Sequence, residues 1–391
     1  VMRMSSFKLE SETRDHIYYK GEKIVFVEIS DIKQLISRLS SRFGSKIINA
    51  PQGATLSPDF IWIVSVNPKS ARIEVDKQTG KTYILLPVSM LSQIQRGGGA
   101  KKDLWKMLAI KLKEKLNDRL ACPDNLFITV SGRHVLPGKL VSYEIAYLPA
   151  YVDSSGNIIL IKEFQYASNL CIRYLSEHYK LAEEIWHAAP PAGADSPLNY
   201  INYMNKLVKQ HQNQYFVAYV ESQKLEAPLR AVVLAGSRVK RYVEIESSSV
   251  EKIEIKIPPT YEIDEVGEYA GLILRHTLHY IPATSPQEAF YYLGLLLSEW
   301  MVNKLKTEIK QVGKQIHLTT KPVKIINKYV SIYKGLDWQN DIAFLAAKIQ
   351  NNASQIRTQS AELLRRKLLS DPRIRKDINM LDRIVHENIV G

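Results

Sequence analysis

The spacing of apolar residues changes several times along this chain and divides it into a strand-rich part and a helical part. Ile24 to Ile29, β-branched between Gly21 and Ser30, predicts a strand. Ser30-Asp31 then caps a predicted helix with Ile32, Leu35, Ile36 and Leu39 on one face, stopping at Gly44. Two strands are expected near Phe60–Val66 and Lys81–Pro87, with turns at Asn67-Pro68 and Thr79-Gly80. Past the glycines Gly97 to Gly99, a helix is predicted from Asp103 to Leu120, striped by Leu104, Met107, Leu108, Leu112 and Leu116. From Leu126 to Ile161 short strands dominate. The run Asp153-Ser154-Ser155-Gly156-Asn157, between Ala150–Val152 and Ile158–Ile161, signals a hairpin. A helix follows from Ala167 to Trp186, and Ala188 to Pro197 reads as a linker.

Beyond the linker the pattern predicts a short helix from Leu198 to Gln210. Strands are expected at Tyr215–Val220, Ala231–Leu234, Tyr242–Ile245, Lys252–Ile257 and Gly271–Ile281. Pro286 sits in the first turn of a helix reaching about Val312. Its stripe, Phe290, Leu293, Leu297 and Met301, is expected in the core. Helices at Gln339–Leu369 and Pro372–Asn388 are separated by Asp371-Pro372. The expected fold is α+β: a mixed α+β recognition module at 1–187 and a second, β-rich module at 198–284, then a helical C-terminal region at 285–391.

Charge narrows the function. A net charge of +13 over 391 residues favours a polyanionic partner, nucleic acid before acidic membrane. No apolar run is long enough to span a bilayer, and Val1 to Ser5 lacks a signal peptide's apolar core, so no membrane association and a cytoplasmic location are expected. Cys122 and Cys171 are too few for a disulfide framework or a zinc site, and are expected to be buried small residues in a reducing compartment. Abundant Ile, Tyr and Lys accord with a thermophilic origin.

Catalytic chemistry is hard to find in the residues. Methylation of an adenine amino group needs a Gly-rich loop for S-adenosylmethionine and a polar-Pro-Pro-aromatic turn that holds the flipped base. Ala189-Pro190-Pro191-Ala192 lacks the polar and aromatic residues, Ile257-Pro258-Pro259-Thr260-Tyr261 displaces the ring, and Val266 to Gly271 is too sparse in glycine. No catalytic residue and no cofactor are therefore expected in this chain. A Mg²⁺ nuclease would use Pro58-Asp59 with Glu254-Ile255-Lys256, which lie far apart in sequence. His276 and His279 point to opposite faces if both stand in one strand, and His187 lacks a partner at ligand spacing, so no metal site is expected. What remains is a set of basic, aromatic and amide side chains in loops: Arg96, Lys101, Lys102, Arg133, His134, Lys139, Arg238, Lys240, Arg241 and Tyr242. These are the candidate DNA-binding residues. Arg and Lys suit guanine edges and phosphates, and the glycines beside Arg96 and Arg133 let backbone amides come close to a phosphate.

Five segments, Asn49–Val64, Tyr215–Val220 with Arg230–Val233, Leu278–Leu293, Gln315–Val323 and Arg373–Val385, together resemble the target-recognition region of TaqI-like and type IIG N6-adenine DNA methyltransferases. Asn49-Ala50-Pro51-Gln52-Gly53-Ala54-Thr55-Leu56-Ser57-Pro58-Asp59-Phe60-Ile61-Trp62-Ile63-Val64 is similar to the start of that region. Tyr215–Val220 with Arg230–Val233 is similar to a later strand pair. Leu278 to Leu293 is similar to a strand and a helix bearing a Glu-Ala-x-Tyr-Leu pattern, with one extra tyrosine here. Gln315–Val323 resembles the following His-x-Thr-x-Pro segment, and Arg373–Val385 the closing helix. The resemblance implies a sequence-specific recognition subunit of a methyltransferase or restriction-modification system. Its partners would be double-stranded DNA and a catalytic methyltransferase subunit that binds S-adenosylmethionine and carries out the transfer. The alternatives are a subunit of an RNA-guided defence complex and a Mg²⁺-dependent nuclease.

Overall fold

The computed structural model describes residues 11–13, 16–19, 22–25, 47–56, 59–67, 70–90, 107, 110, 115, 119–161, 169–188, 196–197, 206–226, 228–236, 256–257, 261–262, 270–309, 316–356 and 361–390. The expected helix at Ser30–Gly44 and strand at Tyr242–Ile245 fall outside these residues, as do most of the Ala188–Pro197 linker and most of the Leu198–Gln210 helix. The chain forms two compact units, Val1–Ile48 and Asn49–Gly391. In the first, β1 (Ser11–Thr13), β2 (His16–Tyr19) and β3 (Glu22–Val25) make an antiparallel sheet.

The second unit starts with the short helix α1 (Asp59–Trp62) and the strands β4 (Ile63–Val66), β5 (Arg72–Val75), β6 (Thr82–Met90) and β7 (Arg119–Ala121). It continues through β8 (Leu126–Val130), β9 (Val135–Leu136), β10 (Lys139–Leu140), β11 (Glu144–Tyr147), β12 (Ala150–Val152), β13 (Ile158–Leu160) and helix α2 (Leu170–Ala188). The strands β14 (Tyr215–Val220), β15 (Ser222–Gln223), β16 (Ala231–Ala235), β17 (Lys256–Ile257), β18 (Tyr261–Glu262), β19 (Gly271–Leu274) and β20 (Leu278–Ala283) follow. The C-terminal region holds α3 (Pro286–Leu297), α4 (Glu299–Glu308), β21 (Ile316–His317), α5 (Lys321–Tyr329), α6 (Asp337–Gln355), α7 (Ala361–Ser370) and α8 (Pro372–Val385). The fold is α+β, β-rich first and mostly helical after Pro286.

The main sheet runs β19-β8-β11-β4-β6-β5, with β7 beside β6; β19 lies parallel to β8 and the other pairs are antiparallel. A second sheet runs β16-β14-β20. Alternation along β8 separates two cores. Leu126, Ile128 and Val130 pack with Phe216, Val232 and Tyr280 of the second sheet, while Phe127 joins Trp62, Tyr179 and Ala182 near α2. Helix α3 lies on the second sheet and packs in turn on α6, which carries α8. Covered on both sides, α3 is apolar nearly all round. Of the expected stripe, Leu293 and Leu297 are fully buried, as is Met301 on the next helix, whereas Phe290 is half-buried.

Several expectations need correction. Phe60–Trp62 is helical, and the strand begins at Ile63. Gly271–Ile281 is two strands in different sheets, because Arg275-His276-Thr277 turns the chain and Leu278 N donates to Arg275 O at 2.9 Å. The helix from Pro286 stops at Leu297. The Ser298 hydroxyl bonds Leu295 O at 2.7 Å and accepts from Met301 N, ending one helix and capping the next. The Gln339–Leu369 helix is broken at Ile356, whose ψ of 115° is not helical. Of the Asp103–Leu120 stripe only Met107 is described, and it is 59% exposed; Leu120 belongs to β7. The two cysteines are not separate buried residues. Cys122, after β7, and Cys171, in the first turn of α2, form a disulfide with Cα atoms 5.4 Å apart. The fold joins positions separated by 49 residues in sequence.

Candidate functional site

The turn Arg275–Thr277 links the two sheets, and two other loops close on it. From one side comes the segment beginning at Asn49. Gly53 N donates to Leu278 O at 2.9 Å, Ala54 N to Leu274 O at 2.7 Å, and Tyr280 N to Pro51 O at 3.1 Å, while Ala54 O accepts from His276 N at 2.8 Å. Gly53 is pressed against the carbonyls of Leu274 and Arg275, leaving no room for a Cβ. From the other side, Gly132 N donates to the Thr277 hydroxyl at 2.7 Å, and Arg230 donates to the carbonyls of Gly132 at 2.5 Å and Val135 at 2.9 Å.

Charged side chains connect these loops in one line. The Arg275 side chain is 5% exposed and donates to Glu144 Oε2 at 2.8 Å and to the Asp59 carboxylate. The second Glu144 oxygen accepts from Arg133 Nη2. Arg133 Nε donates to His134 Nε2 at 2.8 Å. The two ends of this line, Asp59 and Arg133, are each 43% exposed. Two of the five guanidinium donors of Arg133 are thus engaged within the protein, which fixes its plane.

The His134 ring is buried. Burial first, then the Arg133 and Arg275 charges, lower its pKa to about 3, so it is neutral at physiological pH. The Ser131 amide donates to His134 Nδ1 at 3.1 Å, with the Ser131 hydroxyl 3.4 Å from the same nitrogen, so Ser131 holds the ring that Arg133 meets at Nε2. Beside this line, Gln52 Nε2 donates to Glu221 at 3.2 Å and to His276 O at 2.8 Å, and Gln52 Oε1 accepts from Lys206 at 2.5 Å. Burial lowers the pKa of Lys206.

Of the residues expected to bind DNA, Arg133 lies at the exposed end of the charged line and His134 supports it from below. Lys139 turns inward, donating to the carbonyls of Ser354 and Ile356 at the end of α6. Arg96, Lys101, Lys102, Arg238, Lys240, Arg241 and Tyr242 lie outside the described residues. Sequence reasoning missed Arg275 and Glu144 as partners. The available signal was the polar triplet Arg275-His276-Thr277 between two apolar runs, a turn rather than the middle of a strand.

The arrangement does not suit a metal. Among the described residues no group of three or more His, Cys, Asp and Glu could hold one. Asp59, required by the nuclease alternative, is bonded to Arg275, and Glu254 lies outside the described residues. His279 stacks on Tyr219, centroids 5.9 Å apart, with Nδ1 3.2 Å from Ala50 O. No helix among the described residues is long and apolar enough to cross a membrane.

In class, this is an α+β chain in which three loops at the junction of two sheets present a buttressed arginine. No family model and no curated protein matches its sequence. Among solved structures it is similar to the type IIL restriction-modification enzyme MmeI, determined in complex with DNA, at 12% identity and a TM-score of 0.44 over 88% of this chain and 33% of that one. It is also similar to the type IIG restriction endonuclease BpuSI, at 11% identity and a TM-score of 0.31 over 82% of this chain and 32% of that one. The chain spans about a third of the length of these enzymes.

Proposed function

We propose that this chain binds duplex DNA sequence-specifically as the recognition part of an adenine-specific methyltransferase or restriction-modification system. The observation that carries the reading is Arg133. An exposed guanidinium held in one plane by Glu144 and His134 is prepared for a bidentate contact with a guanine edge or a phosphate. The +13 charge supplies the sequence-independent attraction that such binding needs. The methyltransferase-like segments beginning at Asn49 and Leu278 contain the backbone that clamps the Arg275 turn, so the residues behind the resemblance also build the site. Methyl transfer is assigned to a catalytic moiety outside these 391 residues that holds S-adenosylmethionine.

Fluorescence anisotropy with labelled duplex DNA and single-stranded RNA, followed by selection from a randomised duplex library, tests this. The expected result is preference for duplex, affinity that falls steeply with salt, and a defined selected sequence. Equal or tighter binding to RNA, or no sequence enrichment, overturns the proposal. Calorimetry with S-adenosylmethionine is expected to register no binding to these residues alone.

A further inference from the structure

The corner between α7 and α8 holds an open cleft of about 390 Å³ lined by Ser370, Pro372, Arg375, Lys376 and Asn379. Every polar side chain in the lining can donate a hydrogen bond, and two are cations. Arg375 and Lys376 each share a helix face with Asn379, four and three residues on. The carboxylates nearest in sequence are committed elsewhere. Asp371 accepts from the amides of Arg373 and Ile374 and pairs with the Arg373 guanidinium at 3.0 Å. Asp377 has a side chain only 3% exposed and accepts from Lys348 at 2.8 Å and Asn352 at 3.3 Å. Arg375 and Lys376 are exposed and have no ion pair among the described residues. The first amides of α8 are already capped, so anion affinity at this corner comes from side chains rather than from the helix end.

We propose that this corner is a second DNA contact, a phosphate-backbone clamp distinct from the loops around Arg133; it rests on the duplex-binding reading above. Donors with no neutralising carboxylate among the described residues suit phosphodiesters, whose charges recur along the duplex. Arg375 and Lys376 therefore contribute affinity and salt dependence but no sequence choice.

The test measures duplex affinity against salt for the wild type, the double variant R375E/K376E and a charge-matched control, K306E/K324E, altered at exposed lysines that do not line the cleft. The corner variant is expected to melt like the wild type, to bind duplex at least about tenfold more weakly near 0.1 M salt, and to lower the salt slope by about 2. Its selected sequence is expected to be unchanged, and the control to lose much less affinity. If the wild type binds duplex and the corner variant matches it in affinity and slope, or the control loses as much, the inference is overturned. It is likewise overturned if the variant changes only the response to inorganic phosphate, which marks a free-anion site, or only RNA binding. A wild-type chain that binds no duplex at low salt removes the duplex-binding reading and the clamp with it.

Discussion

Alanine at Arg133 removes an exposed guanidinium but leaves Glu144 bonded to Arg275, so the loops are expected to stay in place. The loss then falls on DNA: about 1–3 kcal/mol against the selected sequence, with relaxed preference at one base pair, read by repeating the library selection with the variant. His178 belongs to stability instead. Its ring is 1% exposed and lies 4.5 Å from the Tyr147 ring between centroids. Burial first, then the Arg119 charge, lower its pKa to about 3, while the Ile61 carbonyl pulls weakly the other way. An unfolded chain takes up this proton below about pH 6.5, the folded one only near pH 3. The stability tied to the neutral ring is therefore complete above pH 6.5 and lost as pH falls toward 3. His178→Phe cannot titrate and fills similar space, so its melting temperature is expected to fall less than the wild type's between pH 7 and pH 4. Parallel melting curves for the two proteins would show that His178 has no such role.

Three buried glutamines close the sheet edges. Gln210 exchanges two hydrogen bonds with the backbone of Leu274, at 2.7 and 2.9 Å, and Gln212 two with Leu272, at 2.8 and 3.1 Å, so β19 is paired as if by another strand. On α6, Gln350 does the same for Val233 of β16, with both bonds at 2.9 Å. Gln350→Leu keeps the volume but leaves a buried N–H and C=O unsatisfied. A cost of about 3 kcal/mol or more is expected in urea unfolding, against about 1 kcal/mol if water replaced the amide. The disulfide ties α2 to the end of β7. Cys171→Ser opens a loop of 49 residues and is expected to cost about 4 kcal/mol by chain entropy, read from the urea midpoint under oxidising conditions. The strands that the sequence announced clearly, such as Tyr215–Val220, alternate or run apolar between turn residues. The Gly271–Ile281 run hid its turn, because Arg275 is held by Asp59 and Glu144, residues 216 and 131 positions away. Likewise, a glutamine that completes a sheet edge has no local signature, since its partner is a backbone selected by the fold. Arg133 was legible beside Gly132; the line that orients it was not, because Asp59, Glu144 and Arg275 lie far apart in sequence and are brought together by the fold.

At the scale of the molecule, layering puts the two proposed DNA contacts on different supports. Arg133 stands on a loop leaving β8 in the main sheet, whereas Arg375 and Lys376 stand on α8, which packs on α6 beyond the second sheet. No described hydrogen bond or ion pair joins the two groups, and effects at independent sites add in free energy. Their chemistry also differs. Arg133 is fixed by a carboxylate and an imidazole, as a base-reading side chain requires, while the α8 pair faces an open cleft with no carboxylate among its described lining residues. Combining Arg133→Ala with R375E/K376E should therefore multiply the separate fold-losses in duplex affinity. The relaxed base preference should come wholly from the first change and the reduced salt slope mostly from the second. Anisotropy titrations of the parent, both partial variants and the combination across a salt series separate these contributions. If the combination is no worse than the stronger partial variant, the contacts are not engaged together on one duplex, and the corner at α8 belongs to a different bound state from the loops at Arg133.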